Sequence, residues 1–484
     1  MSRIVAVISE QIANPKRLAQ KLLDKIKHHG SSKSRIYTSR GAVLGQNYFS
    51  SEKSVDFQDD KPAVVANANI FNEDSKGDSP QRIIQKLYQE KGHDVVNHLD
   101  GSFAFVVAQD KKVFAARDPI GLKPLYYIKT DDALILASEI KALVGLGEDI
   151  KTFPPGYYYS SDMGFVKYAR PSHFNYSGSI SEQEAAGNVR QRLINSVAMN
   201  CRNRKNPGIY LSGGIDSSVI AAAAKEVTED ISTFSVGVSK STDLPKARVV
   251  ARHLGSNHHE YVYTLDEMLK VLPQVIYHLE SFDMYLVRSS IANYMLSRMA
   301  HEAGSDFVLC GEGGDELFGG YHYLKNMEPA RVEAELEKLT CNGHANGFQR
   351  VDRMTSAFSI DGRMPFMNSN VTQFASRLPV KWKIYNDGSR QIEKWILRKA
   401  FERDLPEEIV WREKQKFFQG AGSAEMLSQY AEENISDEEF LRERRIREDF
   451  ELGSKEELLY YRIFKDFFPQ DSILDTIGRT ATIG

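Results

Sequence analysis

The string Leu211-Ser212-Gly213-Gly214-Ile215-Asp216-Ser217-Ser218 holds the residue types most suited to chemistry in this chain. Paired glycines at a strand-to-helix turn let backbone N–H groups close on an anion, and a helix N-terminus adds its dipole. Ser212 and Ser217 supply hydroxyl donors. Asp216 would repel a bare phosphate, so its presence implies Mg2+ between carboxylate and nucleotide. The Gly-Lys-Ser/Thr ending of a Walker loop is absent, which makes this a phosphate loop of another kind. A second glycine-rich string, Cys310-Gly311-Glu312-Gly313-Gly314-Asp315-Glu316, continues as Leu317-Phe318-Gly319-Gly320-Tyr321 and offers further carboxylates. Asp216 and Asp315 are expected to share Mg2+ and a leaving pyrophosphate, the metal offsetting their mutual repulsion. In Trp411-Arg412-Glu413-Lys414-Gln415-Lys416-Phe417, Lys414 is expected to neutralise charge developing on phosphate. Cys310 reads as a small buried residue and not as a nucleophile.

These groups need a scaffold. Pro207-Gly208-Ile209-Tyr210 predicts a strand before the first loop, and Val219-Ile220-Ala221-Ala222-Ala223-Ala224 predicts a helix after it. Residues 231–238 and 306–310 predict further strands between helices, so the carboxyl-terminal part should be an α/β domain with a parallel sheet. Val236, on the strand one βα unit after the loop, stands where an adenine would be gripped. After about residue 328 the pattern turns mostly helical, and the mixed charges of 442–449 read as a solvated helix face. The first ~170 residues alternate strands (103–108, 113–116, 133–136) with helices near 15–28 and 80–91, an α+β pattern. The polar segment 169–181 is the expected linker, giving domains 1–172 and 180–484.

Composition narrows the class of protein. The 484 residues are 42% hydrophobic with a net charge of −3, so nothing electrostatic calls for nucleic acid or a membrane surface. Cys201, Cys310 and Cys341 are too few for a disulfide framework, which fits a reducing cytoplasm. No apolar run approaches the ~20 residues of a membrane span, and the opening Met1-Ser2-Arg3-Ile4-Val5-Ala6-Val7-Ile8 is too short for a signal peptide.

The first loop resembles the pyrophosphate-releasing ATP loop of adenylating enzymes, and the resemblance widens along the chain. Both glycine-rich strings, Asp352-Arg353-Met354, Gly362-Arg363-Met364-Pro365-Phe366, Lys394-Trp395-Ile396-Leu397-Arg398, Trp411-Arg412-Glu413-Lys414 and Ser454-Lys455-Glu456-Glu457-Leu458-Leu459-Tyr460-Tyr461-Arg462 are similar to the synthetase half of glutamine-dependent asparagine synthetases. Upstream, Leu99-Asp100-Gly101-Ser102-Phe103, Ala116-Arg117-Asp118-Pro119-Ile120-Gly121-Leu122-Lys123-Pro124, Ala137-Ser138-Glu139-Ile140-Lys141-Ala142-Leu143 and Phe153-Pro154-Pro155-Gly156 resemble their glutaminase half. The resemblance implies an Ntn-type β-sandwich between helices followed by an ATP-pyrophosphatase-type parallel sheet. It also implies a ligase that activates a carboxylate as an acyl-adenylate and passes it to an amine, with ATP and Mg2+. Leu211, Ser212, Gly213, Gly214, Asp216, Ser217, Ser218, Val236 and Gly311 would bind the nucleotide, Glu312 would act as base on the amine, and Arg288 would meet the substrate carboxylate. A homodimer is among the assemblies the family allows.

Departures from the family pattern shape the expected function. Ser2-Arg3 stands where the glutaminase has its nucleophilic cysteine and a glycine; His29, Ala68-Asn69 and Pro80 replace an arginine, a Gly-Glu pair and an aspartate. The amino-terminal half is therefore expected to be inactive, with nitrogen coming from ammonia or another amine. Tyr285 and Leu286 replace small threonines beside Arg288, Gly347 aligns with an acidic residue that would pair with an α-amino group, and Asn368 ends a string that usually ends in aspartate. Asp352 is the nearby carboxylate available to substitute. These changes favour a carboxylate other than aspartate, with ammonia-dependent asparagine formation as the alternative. Ring closure of the β-lactam synthetase kind is weaker, since those enzymes carry tyrosine in place of Glu312. A tRNA-modifying adenylating enzyme or an inactive scaffold are the readings from other classes.

Overall fold

The computed structural model describes every residue except 1, 29–30, 50–60, 74–76, 171–178, 203, 205, 415–416, 423 and 481–484. The amino-terminal part is built on β1 (Ser2–Ile8), α1 (Pro15–Lys25), β2 (Ser31–Ser39), β3 (Ala42–Phe49), β4 (Ala63–Ile70), α2 (Pro80–Lys91), β5 (Gly101–Gln109) and β6 (Lys112–Arg117). It continues through β7 (Tyr126–Lys129), β8 (Leu134–Ala137), α3 (Ile140–Leu143), β9 (Ile150–Thr152), β10 (Tyr157–Ser160) and β11 (Gly164–Lys167). One six-stranded sheet runs β2-β3-β1-β8-β7-β9 and a five-stranded sheet runs β11-β10-β6-β5-β4. Strand periodicity explains how they stack. Ile4 and Ala6 of β1 face the second sheet's Val65, Ala104 and Val106, while Val5 and Val7 pack on Ala19, Leu22 and Leu23 of α1. The far face of the second sheet, with Phe103 and Phe105, packs against Ile84 of α2. The result is the expected sandwich between helices. Both helices start where sequence chemistry directs: Asn14 and Ser79 cap the first turns ahead of Pro15 and Pro80.

The carboxyl-terminal part begins with α4 (Glu182–Cys201), whose N-terminus is closed by a Ser181–Glu184 capping box. There follow β12 (Gly208–Tyr210), α5 (Ile215–Val227), β13 (Ser232–Gly237), α6 (Asp243–Leu254), β14 (Asn257–Val262), α7 (Leu265–Leu279), α8 (Met284–Glu302) and β15 (Phe307–Leu309). Next come α9 (Gly314–Phe318), α10 (Pro329–Asn342), α11 (Gly347–Ser356) and β16 (Asp361–Arg363). The sheet is β14-β13-β12-β15-β16, every pair parallel. Ala185, Leu193, Val219 and Val250 pack α4, α5 and α6 on one face; Leu272, Ile276, Ile291 and Met354 pack α7, α8 and α11 on the other. The first strand, β12, is central: the chain leaves it toward β13 and later returns on its other side as β15. The loops after β12 and β15 therefore splay apart at the carboxyl edge of the sheet, the place where open α/β sheets hold ligands.

One expectation changes here, and the mostly helical end of the chain gains a small hairpin. The mixed-charge stretch 442–449 is not one helix face: a helix ends at Glu443, and a small antiparallel hairpin follows, Arg445–Arg447 with Phe450–Glu451. The region after residue 328 also contains the hairpin Ile384–Asn386 with Gln391–Glu393. Most of the expected linker, 171–178, lies outside the described residues. Among the described residues, no helix is long and apolar enough to cross a membrane.

Candidate active site

Leu211 hangs from the sheet by its N–H to the Phe234 carbonyl, 2.9 Å, and its carbonyl accepts the Ser235 hydroxyl at 2.5 Å. The turn beyond it is rigid. Ser217 Oγ accepts the Ser212 N–H at 3.1 Å and donates to the Gly214 carbonyl at 3.1 Å, while Ser212 Oγ accepts the Gly214 N–H at 3.2 Å. Gly213 has φ +70°, and a Cβ there would lie 2.6 Å from the Ala247 nitrogen, so only glycine fits. Ser218 is wholly buried on α5, and Val236 is buried on β13. Gly311 abuts the start of α5; a Cβ on it would lie 2.9 Å from the Ser217 nitrogen.

The second loop meets the first through charge. Lys394 Nζ is in ion-pair contact with Asp216 Oδ2 and lies 2.5 Å from Asp315 Oδ1. Lys414 Nζ contacts the same Asp315 oxygen and sits 5.1 Å from the Tyr321 ring centre. Burial pushes the Asp216 carboxyl up against the pull of Lys394. Burial would raise Asp315 too, but Lys394 and Lys414 together hold it well below the usual carboxylate range. Burial lowers Lys414. The crowding explains the glycines: a Cβ on Gly314 would lie 2.5 Å from Asp216 Oδ1, and one on Gly320 would strike Asp315 and Lys394.

Lys394, 2% exposed, is the group that sequence reasoning missed. Its signal was a place at the head of one family-like string, immediately ahead of a helix (Trp395–Phe401), and it takes up the left-handed region, φ +55°. Arg412 was likewise noted only as part of a string. It donates to the Ser212 carbonyl at 3.3 Å and pairs with Asp243 at 2.7 Å, whose carboxyl burial pushes up to about 6.

These residues fit a magnesium ion carried by phosphate. Asp216 Oδ1 is buried without a hydrogen-bond partner and aims at the second loop, and hard carboxylate oxygens are the donors Mg2+ prefers. No cluster of three or more metal-binding side chains occurs among the described residues.

Around this centre lie the groups expected to meet the acyl substrate. Glu312 accepts from Arg350 Nη2 of α11 at 2.7 Å. Arg288, on α8, forms a two-point ion pair with Glu456, its Nε to Oε1 distance 2.7 Å, and Tyr460 donates to the same carboxylate at 2.6 Å. Tyr285 stacks toward Arg288, the guanidinium carbon 5.8 Å from its ring centre, and Leu286 is 3% exposed within the core. Gly347 opens α11, with Glu312 Cγ 4.0 Å from where its Cβ would stand. Asp352 is not the substitute carboxylate that was expected, because Arg3 binds it at 2.7 Å. Asn368 caps the helix Ser369–Ser376 by accepting the Asn370 N–H at 3.0 Å.

In the amino-terminal half, Ser2 Oγ accepts from Gln46 Nε2 at 2.8 Å. Asn67, buried beside it, is satisfied when its amide donates to the Ser2 carbonyl and accepts from Arg3. Asn69 reaches across to Asp361 of β16 at 3.3 Å, and Pro80 opens α2. Ala68 is buried on β4. His29 lies outside the described residues.

Comparison with known proteins identifies the family. The Asparagine synthase family model matches residues 188–343 and 342–476, and the Glutamine amidotransferase domain model matches 55–145. A probable glutamine-hydrolyzing asparagine synthetase of Dictyostelium discoideum is 32% identical, the match covering 99% of this chain and 96% of that one. One from Schizosaccharomyces pombe is 34% identical, over 99% and 95%. Asparagine synthetase B of Escherichia coli, also named glutamine-hydrolyzing, is 32% identical over 96% and 90%. Likeness over nearly the full length to proteins named glutamine-hydrolyzing asparagine synthetases overturns the expectation of another carboxylate used without glutamine hydrolysis, and fits the alternative, asparagine formation from aspartate, better. Leu286 is buried in the core, and the Tyr285 ring centre lies 5.8 Å from the Arg288 guanidinium carbon. The chain belongs to the asparagine synthetase family and is an ATP-dependent carbon–nitrogen ligase.

Proposed function

We propose that the chain makes asparagine: ATP adenylates the side-chain carboxylate of aspartate, and ammonia displaces AMP from the resulting acyl-adenylate. The convergence of Lys394 and Lys414 on Asp216 and Asp315, at the mouth of a phosphate loop, carries this reading. The turn Ser212-Gly213-Gly214 and the start of α5 would cradle the phosphates, with the hydroxyls of Ser212 and Ser217 at the turn and the buried Ser218 behind them; Val236 and Gly311 would flank the nucleoside, and Leu211 fixes the turn to the sheet. Asp216 and Asp315 hold Mg2+, which when bound neutralises phosphate charge.

A carboxylate oxygen attacks the α-phosphorus, the bond to pyrophosphate breaks, and Lys394 and Lys414 receive the departing negative charge. Arg288, fixed by Glu456, pairs with a carboxylate of aspartate. Ammonia then adds to the acyl carbon, Glu312 takes the proton it sheds, and AMP leaves. We assign residues 1–172 to a glutaminase-like domain and 180–484 to the synthetase. A homodimer, no nucleic-acid partner and a cytoplasmic setting belong to the same reading, supported by the resemblance and by a net charge of −3.

The test is aspartate-dependent ATP–pyrophosphate exchange with Mg2+, followed by asparagine formation with ammonium and, separately, with glutamine. Exchange with aspartate is expected. Glu312→Gln should retain exchange while asparagine formation falls about 100-fold or more, the usual scale for a lost general base. An enzyme that exchanges with no aspartate present, or not at all with it, would overturn the proposal; equal loss of both steps would make Glu312 a binding residue.

A further inference from the structure

The segment just ahead of residue 481 touches the three elements that carry the acyl-substrate groups. Thr480 donates its N–H to Asp283 Oδ2 at 2.9 Å and its hydroxyl to Asp283 Oδ1 at 2.8 Å. Asp283 is the N-cap of α8, the same Oδ1 accepting the Leu286 N–H at 3.0 Å. Arg479 is ion-paired with Glu457, its guanidinium carbon 4.8 Å from the Phe450 ring centre. Glu457 opens the helix Lys455–Phe467 beside Glu456, the partner of Arg288. Gly478 lies against the Ala345 carbonyl so closely that a Cβ would collide with it, and Ala345 stands directly ahead of α11, which carries Arg350 to Glu312.

We infer that Gly478-Arg479-Thr480 is a positioning element for the aspartate pocket, locking α8, α11 and the Glu456 helix into the register that sets Arg288 and Glu312. Three features favour this over a loosely packed tail. Asp283 is 3% exposed, so both its oxygens depend on internal donors, and Thr480 supplies two of them. Glu457 is 4% exposed and faces the like charge of Asp283, and Arg479 is the cation set against it. Finally, each contact falls at the first turn or approach of a different helix, where a small shift tilts the whole helix. None of these residues touches the Asp216–Asp315 centre in any contact the structure gives. The effect should therefore fall on the acid and spare the nucleotide.

The inference rests on aspartate being the substrate, and the experiment separates the two. In the full-length enzyme, Thr480→Val and Gly478→Ala are assayed by ATP–pyrophosphate exchange at varied aspartate and at varied ATP, with thermal melting alongside. Both variants should raise KM for aspartate roughly five-fold or more, leave KM for ATP within two-fold, and keep most of kcat. Thr480→Ser should restore the wild-type KM. An unchanged KM for aspartate in both variants overturns the inference, and so does a rise in the two KM values together. A lowered melting temperature with KM unmoved assigns the segment a stabilising role alone, which also overturns it. Failure of the parent enzyme to exchange with aspartate counts instead against the proposed function.

Discussion

Lys394 decides how the two carboxylates of the phosphate site coexist. Its ammonium lies between Asp216 and Asp315 in a pocket that leaves it 2% exposed. Removing one partner of such a buried cluster leaves uncompensated charge and typically costs about 3–5 kcal/mol. Lys394→Met should therefore melt well below the parent, and Mg2+ should recover more of the lost melting temperature in the variant than it adds to the parent. Thermal melts with and without millimolar Mg2+ check this; equal magnesium effects in both proteins would remove Lys394 as the internal counter-charge. Adenylation should fall in the same variant, read by pyrophosphate exchange. Asp216, Asp315 and Lys414 could be named from short local strings, and the structure brings all three to Lys394 or to one another. Lys394 was not singled out, since its meaning depends on a fold that carries it back across 178 positions to Asp216. Arg288 was legible as a cation for a carboxylate, but its anchor Glu456 lies 168 positions away.

At the level of elements, the phosphate loop depends on backbone that no side chain can replace. Gly213→Ala would place a Cβ in the left-handed region and against α6, 2.6 Å from the Ala247 nitrogen. Gly388, φ +85°, has open space around it and serves as the control for strain alone, worth about 1 kcal/mol. Gly213→Ala is expected to lower stability by more than Gly388→Ala and to raise KM for ATP at least ten-fold, whereas Gly388→Ala leaves KM unchanged. Urea melts and exchange kinetics measure the two effects, and equal kinetics for both variants would argue against a tight fit of loop to α6. Why the loop lies there was readable beforehand: the strand-turn-helix pattern and the strands after it follow local rules. The stretch 442–449 was misread because a run of mixed basic and acidic residues fits a solvated helix and an exposed hairpin equally well. In the hairpin, Arg447 pairs with both Asp449 and Asp475, and Arg444 pairs with Glu451.

The whole molecule is held along a seam that local sequence rules do not describe. Arg3, wholly buried on β1, binds Glu139 at 2.5 Å and reaches Asp352 of α11 at 2.7 Å. Lys141 and Arg353 tie Glu139 and Glu280 into the same network. The apolar core is continuous across it, Val5 and Ile140 packing in one cluster with Leu279 and Met354. Such a seam makes stability depend on groups that must stay neutral inside it. His344 is one of them: it bonds the Cys341 carbonyl at 2.7 Å, and burial, with Arg117 at the end of β6 facing it, pushes its pKa down to about 4. An unfolded histidine titrates near 6.5. Between those values the unfolded chain carries a proton that the folded one refuses, so stability is full above pH ~6.5 and drains away as pH falls toward 4. The shift corresponds to at most roughly 3 kcal/mol, less for a side chain that keeps some solvent contact. His28 moves in the same direction, lowered by burial against the pull of Glu139. Urea unfolding from pH 7.5 to 4.5 should therefore lose stability progressively below pH 6.5, and His344→Gln, which keeps an N–H donor but cannot take the charge, should flatten that slope by about 1–3 kcal/mol at pH 4.5 relative to the parent. Parallel pH curves for the two proteins would show that the acid sensitivity of the seam arises elsewhere.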